Sequence, residues 1–138
     1  MIAEDNEDDL VLLCLTLKEM THFHVAFKAG SGEEVIVYLK GDGVYGDRAA
    51  HPFPHLLILD LKLPRVDGFE VLRWIQTHPI ASLVVVVLTG SQNPKDAARA
   101  RALGADAVFV KPVGLAHIRE MAARVERFME TAPKGVTC

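Results

Sequence analysis

Five strand-like runs, each separated from the next by a segment with helical spacing, predict an α/β fold. The expected architecture is a doubly wound, five-stranded parallel sheet ordered 2-1-3-4-5 with helices on both faces, the flavodoxin-like (βα)5 arrangement. Two observations carry this beyond the alternation itself. Residues 56–59 (Leu-Leu-Ile-Leu) and 83–88 (Leu-Val-Val-Val-Val-Leu) are apolar without interruption, as central strands covered on both faces must be. The segments between the strands place apolar residues three and four apart, which gives each helix one apolar face to lay on the sheet.

Strand one is Met1-Ile2-Ala3, so short that either the strand is clipped or the native start lies upstream. Helix one, over 8–20, carries Leu10, Leu13 and Leu17, with Cys14 expected to be a buried and inert thiol. Strand two, over 23–28, alternates polar and apolar residues and reads as a partly exposed edge. Helix two covers 33–40, and the Gly- and Pro-containing segment 41–54 reads as a long surface loop. Strand three, 56–59, ends at Asp60. Helix three, 69–75, packs Trp74 with Leu72 and Ile75. Strand four is followed by helix four, 95–103, with Gly104 as its C-terminal cap. Strand five is 107–110. Helix five carries Leu115, Ile118, Met121, Ala122, Val125, Phe128 and Met129 on one stripe. One domain over 1–130 with a short tail at 131–138 is expected, leaving no room for a second domain.

Bulk properties narrow the function classes. A chain of 138 residues, half apolar and about a quarter charged, fits a single soluble domain. The formal charge of −3, with no Lys/Arg block, excludes a polyanion-binding face, so no nucleic-acid partner is expected. No apolar run is long enough to span a membrane, and the acidic segment 4–9 excludes a signal peptide, so no membrane contact and a cytoplasmic location are expected. Cys14 and Cys138 share no metal or redox spacing. His22 and His24 alternate on the edge strand without a third ligand and receive no role. Arg99, Arg101, Arg119, Arg124 and Arg127 read as solvated helix faces.

The strand ends carry the chemistry. In a parallel sheet of this order, ligands bind outside the carboxyl ends of the strands. Strands one, three, four and five deliver Glu4-Asp5, Asp60, Thr89 and Lys111-Pro112 to that edge. Three carboxylates converging there would repel one another unless a hard cation sat among them, which makes Glu4, Asp5 and Asp60 a candidate Mg²⁺ site. A carboxylate such as Asp60 can attack phosphorus once the metal neutralises the transferring oxygens. Lys111 offers a flexible cation and Thr89 a hydroxyl, both suited to phosphoryl oxygens.

Through Glu4-Asp5, Asp60, Thr89, Lys111-Pro112 and the segment Leu63-Pro64-Arg65-Val66-Asp67-Gly68, the chain resembles the receiver domain of two-component response regulators over nearly its whole length, to about residue 130. The resemblance implies that Asp60 accepts a phosphoryl group from a sensor histidine kinase. It also implies that Asp5 and Glu4 hold Mg²⁺, that Lys62 offers its backbone carbonyl to the metal, and that the bond before Pro112 is cis. The domain would be a signalling module that assists its own phosphotransfer and dephosphorylation, not a turnover enzyme. The long loop before strand three looks most like the small stand-alone receivers that partner phytochrome-type kinases, and those relatives imply a homodimer through helix four, strand five and helix five.

The resemblance stops at one position. The family usually carries an aromatic residue three before the lysine, and here that residue is Val108; Phe109 is its neighbour but faces the other side of the strand. The family also places lifetime-tuning residues where Lys62 and Ser91 stand. Val108 and the clipped first strand motivate an alternative, a phosphorylation-independent interaction scaffold. A phosphohydrolase of another aspartate-using class is disfavoured because Lys62, not a second acid, follows Asp60 by two residues.

Overall fold

The computed structural model describes residues 1–19, 23–111 and 115–131. Its elements alternate along the chain: β1 (Ile2–Ala3), α1 (Glu7–Glu19), β2 (Lys28–Ala29), α2 (Gly32–Lys40), a 3₁₀ turn (Gly43–Gly46), β3 (Leu56–Asp60), α3 (Gly68–Thr77), β4 (Val84–Thr89), α4 (Pro94–Ala102), β5 (Ala107–Val110) and α5 (Leu115–Thr131). All strand pairs are parallel and the sheet order is β2-β1-β3-β4-β5, as the alternation predicts. Ile2 lies opposite Ile58, Asp60 opposite Leu88, and Thr89 opposite Val110. That register brings the ends of β1, β3, β4 and β5 to a common level.

Strand alternation divides the core in two. Ala3, Leu57, Leu59, Val85 and Val87 pack with Val35, Leu39, Val71 and Leu72 of α2 and α3. Ile2, Ile58, Val84, Val86 and Leu88 face the other way, against Leu13 and Leu17 of α1 and Met121 and Val125 of α5. Each fully buried aliphatic side chain in these layers contributes about 1.5–3 kcal/mol relative to exposure. The centre of the sheet is therefore the rigid platform on which the strand ends sit.

Several expectations shift. The strand over 23–28 contracts to Lys28–Ala29, because β1 supplies only two residues of ladder and the preceding segment has no partner beyond Phe27, whose carbonyl accepts from Ile2 N at 3.1 Å. Helices begin one residue earlier at α1, α2, α3 and α4 than their apolar spacing suggests, because Ser31, Asp67 and Asn93 cap the last three with side-chain oxygens. Leu103, not Gly104, is the cap of α4; Gly104 follows with φ 103 and donates its N–H to the Arg101 carbonyl. Cys14 is only half-buried. Arg99, Arg101, Arg119, Arg124 and Arg127 are exposed, as a solvated helix face requires; three of them also make surface contacts, Arg99 over the Phe69 ring at 4.1 Å, Arg124 over Phe109 at 4.9 Å, and Arg119 with Glu19 at 3.2 Å. Pro112 and its peptide bond, His22, Cys138 and most of the tail lie outside the described residues.

The segment 41–54 is a built structure. Arg48 Nη2 donates to the carbonyls of Tyr38 (2.9 Å) and Leu39 (3.1 Å) at the end of α2, while its guanidinium lies over the rings of Tyr38 and Phe53. Tyr38 stacks on Phe27 at 4.3 Å and donates its hydroxyl to the Pro52 carbonyl at 2.7 Å. Tyr45 and His51 close the cluster edge to face at 5.1 Å.

Candidate functional site

Asp60 is the last residue of β3 and is buried, because the strand that carries it is central and apolar throughout. Beyond it the chain turns sharply: Arg65 adopts φ 65 and the Gly68 N–H donates to the Leu61 carbonyl at 2.9 Å. A Cβ at Gly68 would stand 2.5 Å from the Asp60 carbonyl oxygen and 2.6 Å from Leu61 Cα, so only glycine lets α3 start this close to the site. Asp67 then caps α3 by accepting from Glu70 N at 2.9 Å.

The four strand ends meet as their order requires. Lys111 Nζ lies 2.7 Å from Glu4 Oε2 and 2.9 Å from Asp60 Oδ2. The other Asp60 oxygen accepts from Lys62 N at 3.1 Å, and the other Glu4 oxygen from Asn6 N at 3.1 Å. Asp5 is exposed at the mouth, whereas Glu4 and Asp60 are buried. One carboxylate oxygen from each of Glu4, Asp5 and Asp60 falls within 4.8 Å of the others. Three oxygen donors of this hardness, drawn together at one strand edge, fit a divalent cation.

Electrostatics agree with that grouping. Burial pushes the Glu4 carboxyl above its ordinary range, and hydrogen bonds from Lys111 and Asn6 only partly reverse the shift. Burial alone would lower Lys111, but its hydrogen bonds to Glu4 and Asp60 outweigh it and hold the ammonium firmly protonated. The site therefore carries more negative than positive charge, with a single lysine shared between two buried acids.

Thr89 ends β4 and is buried; its Oγ1 accepts from Ser91 N at 3.0 Å. Ser91 Oγ in turn donates to Asp96 Oδ2 in the first turn of α4 at 2.6 Å and accepts from Asn93 N. Beside the acids a cleft of about 310 Å³ opens between α1 and β5, floored by Leu13, Leu88 and Ile118 and bordered by Lys111. A larger cavity of about 530 Å³ lies at the opposite edge of the sheet, between the start of β3 and the end of α5; its walls are mainly apolar, and it is remote from this chemistry.

Thus Glu4, Asp5, Asp60 and Lys111 assemble, Thr89 stands at the neighbouring strand end, and Lys62 contributes its N–H to Asp60. Two participants escape the sequence reading. Asp9 reaches Lys111 at 3.6 Å, and Asp96 binds Ser91. The signal for Asp9 is its place four residues before Leu13 and eight before Leu17, on the inward stripe of α1.

With this geometry in view, the chain matches the response regulator receiver domain over residues 1–123. The chain belongs to that family. This receiver is 32% identical over 129 residues to the response regulator Rcp1 of Synechocystis sp., covering 93% of this chain and 86% of the relative. The crystal structure of the phosphorylated cyanobacterial phytochrome response regulator RcpA superposes with a TM-score of 0.84 at 30% identity, covering 94% and 91% of the two chains. A Mn²⁺-bound form of Rcp1 superposes with a TM-score of 0.82 at 32% identity, covering 95% and 94%. A receiver domain belongs to two-component signalling, and the divalent cation in one relative accords with the acidic cluster in this one.

Proposed function

We propose that this receiver accepts a phosphoryl group on Asp60 from a sensor histidine kinase of the phytochrome type, and that Mg²⁺ held by Glu4, Asp5, Asp60 and the Lys62 carbonyl is required. The observation that carries the reading is the convergence of three carboxylates and Lys111 around the one buried aspartate that ends a central strand. When bound, the metal would screen the negative charge that gathers as an anionic donor approaches a carboxylate. Asp60 supplies the attacking oxygen, forming a P–O bond as the P–N bond to the donor imidazole breaks. Lys111 leaves Asp60 Oδ2 for a phosphoryl oxygen, and the Thr89 hydroxyl donates to another. Val11, Leu12 and Leu15 are exposed on α1, the helix that follows Asp5, which supports a protein rather than a free metabolite as the donor.

Output leaves through protein contacts. Once the Thr89 hydroxyl turns to a phosphoryl oxygen, the hydrogen-bond chain through Ser91 to Asp96 shifts the start of α4. Ala100 is the single fully buried residue of α4, so this helix is the lightly held element beside the site. Exposed Val110 at the end of β5 supports a homodimer through α4, β5 and α5. A phosphorylation-independent scaffold is the second reading, favoured by Val108, which packs half-buried against the α2–α3 side of the core where the family carries an aromatic.

Intact mass after incubation with Mg²⁺ and acetyl phosphate tests the first reading. A metal-dependent gain of one phosphoryl group that Asp60→Asn abolishes is expected. No adduct, together with no shift of α4 resonances on adding beryllofluoride, would move the assignment to the scaffold.

A further inference from the structure

The ammonium of Lys111 has three protons and faces three carboxylates: Glu4 Oε2 at 2.7 Å, Asp60 Oδ2 at 2.9 Å and Asp9 Oδ2 at 3.6 Å. The first two also belong to the cluster of oxygens that suits a divalent cation, so the lysine and the metal compete for the same ligands. Two cations cannot share those oxygens closely without repulsion. Asp9 is the one carboxylate of the three outside that cluster. Its place is fixed by the helix: Asp9, Leu13 and Leu17 step by four residues along α1, both leucines are buried on the sheet, and the Asp9 N–H is tied to Asn6 Oδ1 at 3.0 Å. Its neighbours Glu7 and Asp8 are exposed and make no ion pair with Lys111.

We propose that Asp9 is a positioning residue that receives the Lys111 ammonium when Glu4 and Asp60 take the metal, and keeps it at the mouth where phosphoryl oxygens arrive. The inference rests on the metal-dependent reading above. It makes the lysine a two-position cation: paired with the buried acids in the metal-free chain, drawn outward toward Asp9 in the loaded one. Among the described residues the ammonium has, without Asp9, no acidic partner outside the cluster, so it stays on Glu4 and Asp60 and opposes the metal.

Calorimetric titration of the full chain with Mg²⁺, comparing wild type with Asp9→Asn, Asp9→Glu, Lys111→Met and the Asp9→Asn/Lys111→Met double variant, separates this from a general charge effect. Asp9→Asn should weaken binding about three- to fivefold, the size expected of one half-exposed ion pair. Asp9→Glu should restore most of the affinity. In the Lys111→Met background the Asp9 substitution should change little, because the group that it positions is gone. The Lys111 ammonium resonance, which needs no substituted lysine, should shift on metal addition in wild type and lose that shift in Asp9→Asn. Equal losses in both backgrounds, or an ammonium shift indifferent to Asp9, would overturn the role of Asp9 alone. A wild-type chain that takes up no Mg²⁺ would overturn the metal-dependent reading and this inference together.

Discussion

On the amino side of β3, the segment 41–54 closes on itself: Arg48 spends its donors on the carbonyls of Tyr38 and Leu39, and Tyr38, Tyr45 and His51 fill the space beneath. On the carboxyl side, the segment 61–67 also turns, with Arg65 at φ 65, but the charges gathered at that sheet edge stay in excess, with Asp5 open to solvent and one lysine serving two buried acids. Both flank the same central strand. Order in the first comes from local satisfaction, whereas the second borrows its order from the strands behind it and leaves binding capacity unspent. A site that must take up a charged ligand needs the second kind and can tolerate the first kind only away from it.

The largest effect should come from removing the close approach that shapes the carboxyl side. Gly68→Ala drives a methyl group into the backbone of Asp60 and Leu61, neither of which can yield as a side-chain end would. We expect a loss of about 3 kcal/mol in urea denaturation and a weakened Mg²⁺ response. A loss below about 1 kcal/mol would mean that α3 can retreat, and the tight start of that helix would not be what fixes Asp60.

Breaking the amino side should cost less and leave the site untouched. Arg48→Ala removes two hydrogen bonds to carbonyls at the end of α2 and the contacts with two rings, worth about 2 kcal/mol together, while the Tyr38 carbonyl keeps its bond from Gly41 N. Arg48→Lys should recover less than half, since an ammonium cannot reproduce the planar fork. Mg²⁺ affinity should not change in either variant. Coupled losses would show that the two connections communicate through β3.

Asp60→Asn sharpens the contrast from the other direction. Lys111 keeps Glu4 and Asp9 as partners, while one of the crowded acids is neutralised. In the absence of divalent metal the variant should gain about 1 kcal/mol, as substitutions at charge-strained functional sites do. Mg²⁺ should stabilise wild type by mass action and leave the variant unmoved, which thermal melts with and without metal would read. Destabilisation of metal-free Asp60→Asn would instead make the Lys111–Asp60 pair a net structural asset.

The same contrast explains what was legible in the chain. Continuous apolar runs at 56–59 and 83–88 announce buried parallel strands, and the sheet order then brings Glu4, Asp60, Thr89 and Lys111 together without further information. Strand two is shorter than its alternation suggests because its length is set by its neighbour: β1 offers two residues, so beyond the Phe27 carbonyl the alternation over 23–26 has nothing to pair with. The arginine contacts and the closure of 41–54 depend on which rings lie beneath, a property of tertiary packing that periodicity does not encode. Asp9 stood in plain view, yet choosing it among Glu7, Asp8 and Asp9 required the phase of α1, which Leu13 and Leu17 fix only once the helix is laid on the sheet.

The smallest effect is a titration. Burial raises Glu4 above its ordinary 4.5, with Lys111 offsetting only part of the shift. The folded chain therefore binds a proton in a range where the unfolded chain has released it, so stability rises as pH falls through the folded value toward 4.5. Stated the other way, the contribution of Glu4 is fully present below 4.5 and is lost as pH climbs through the raised value. Metal binding has the opposite sign, because a protonated carboxyl is a poor ligand. Across that window the metal-free wild type should gain stability relative to Glu4→Gln, while the increment from saturating Mg²⁺ fades. Paired urea curves at several pH values would resolve the two slopes. If both ran in the same direction, Glu4 would be acting through the fold and not as a metal ligand, and the carboxyl side of β3 would resemble the amino side more closely than its geometry implies.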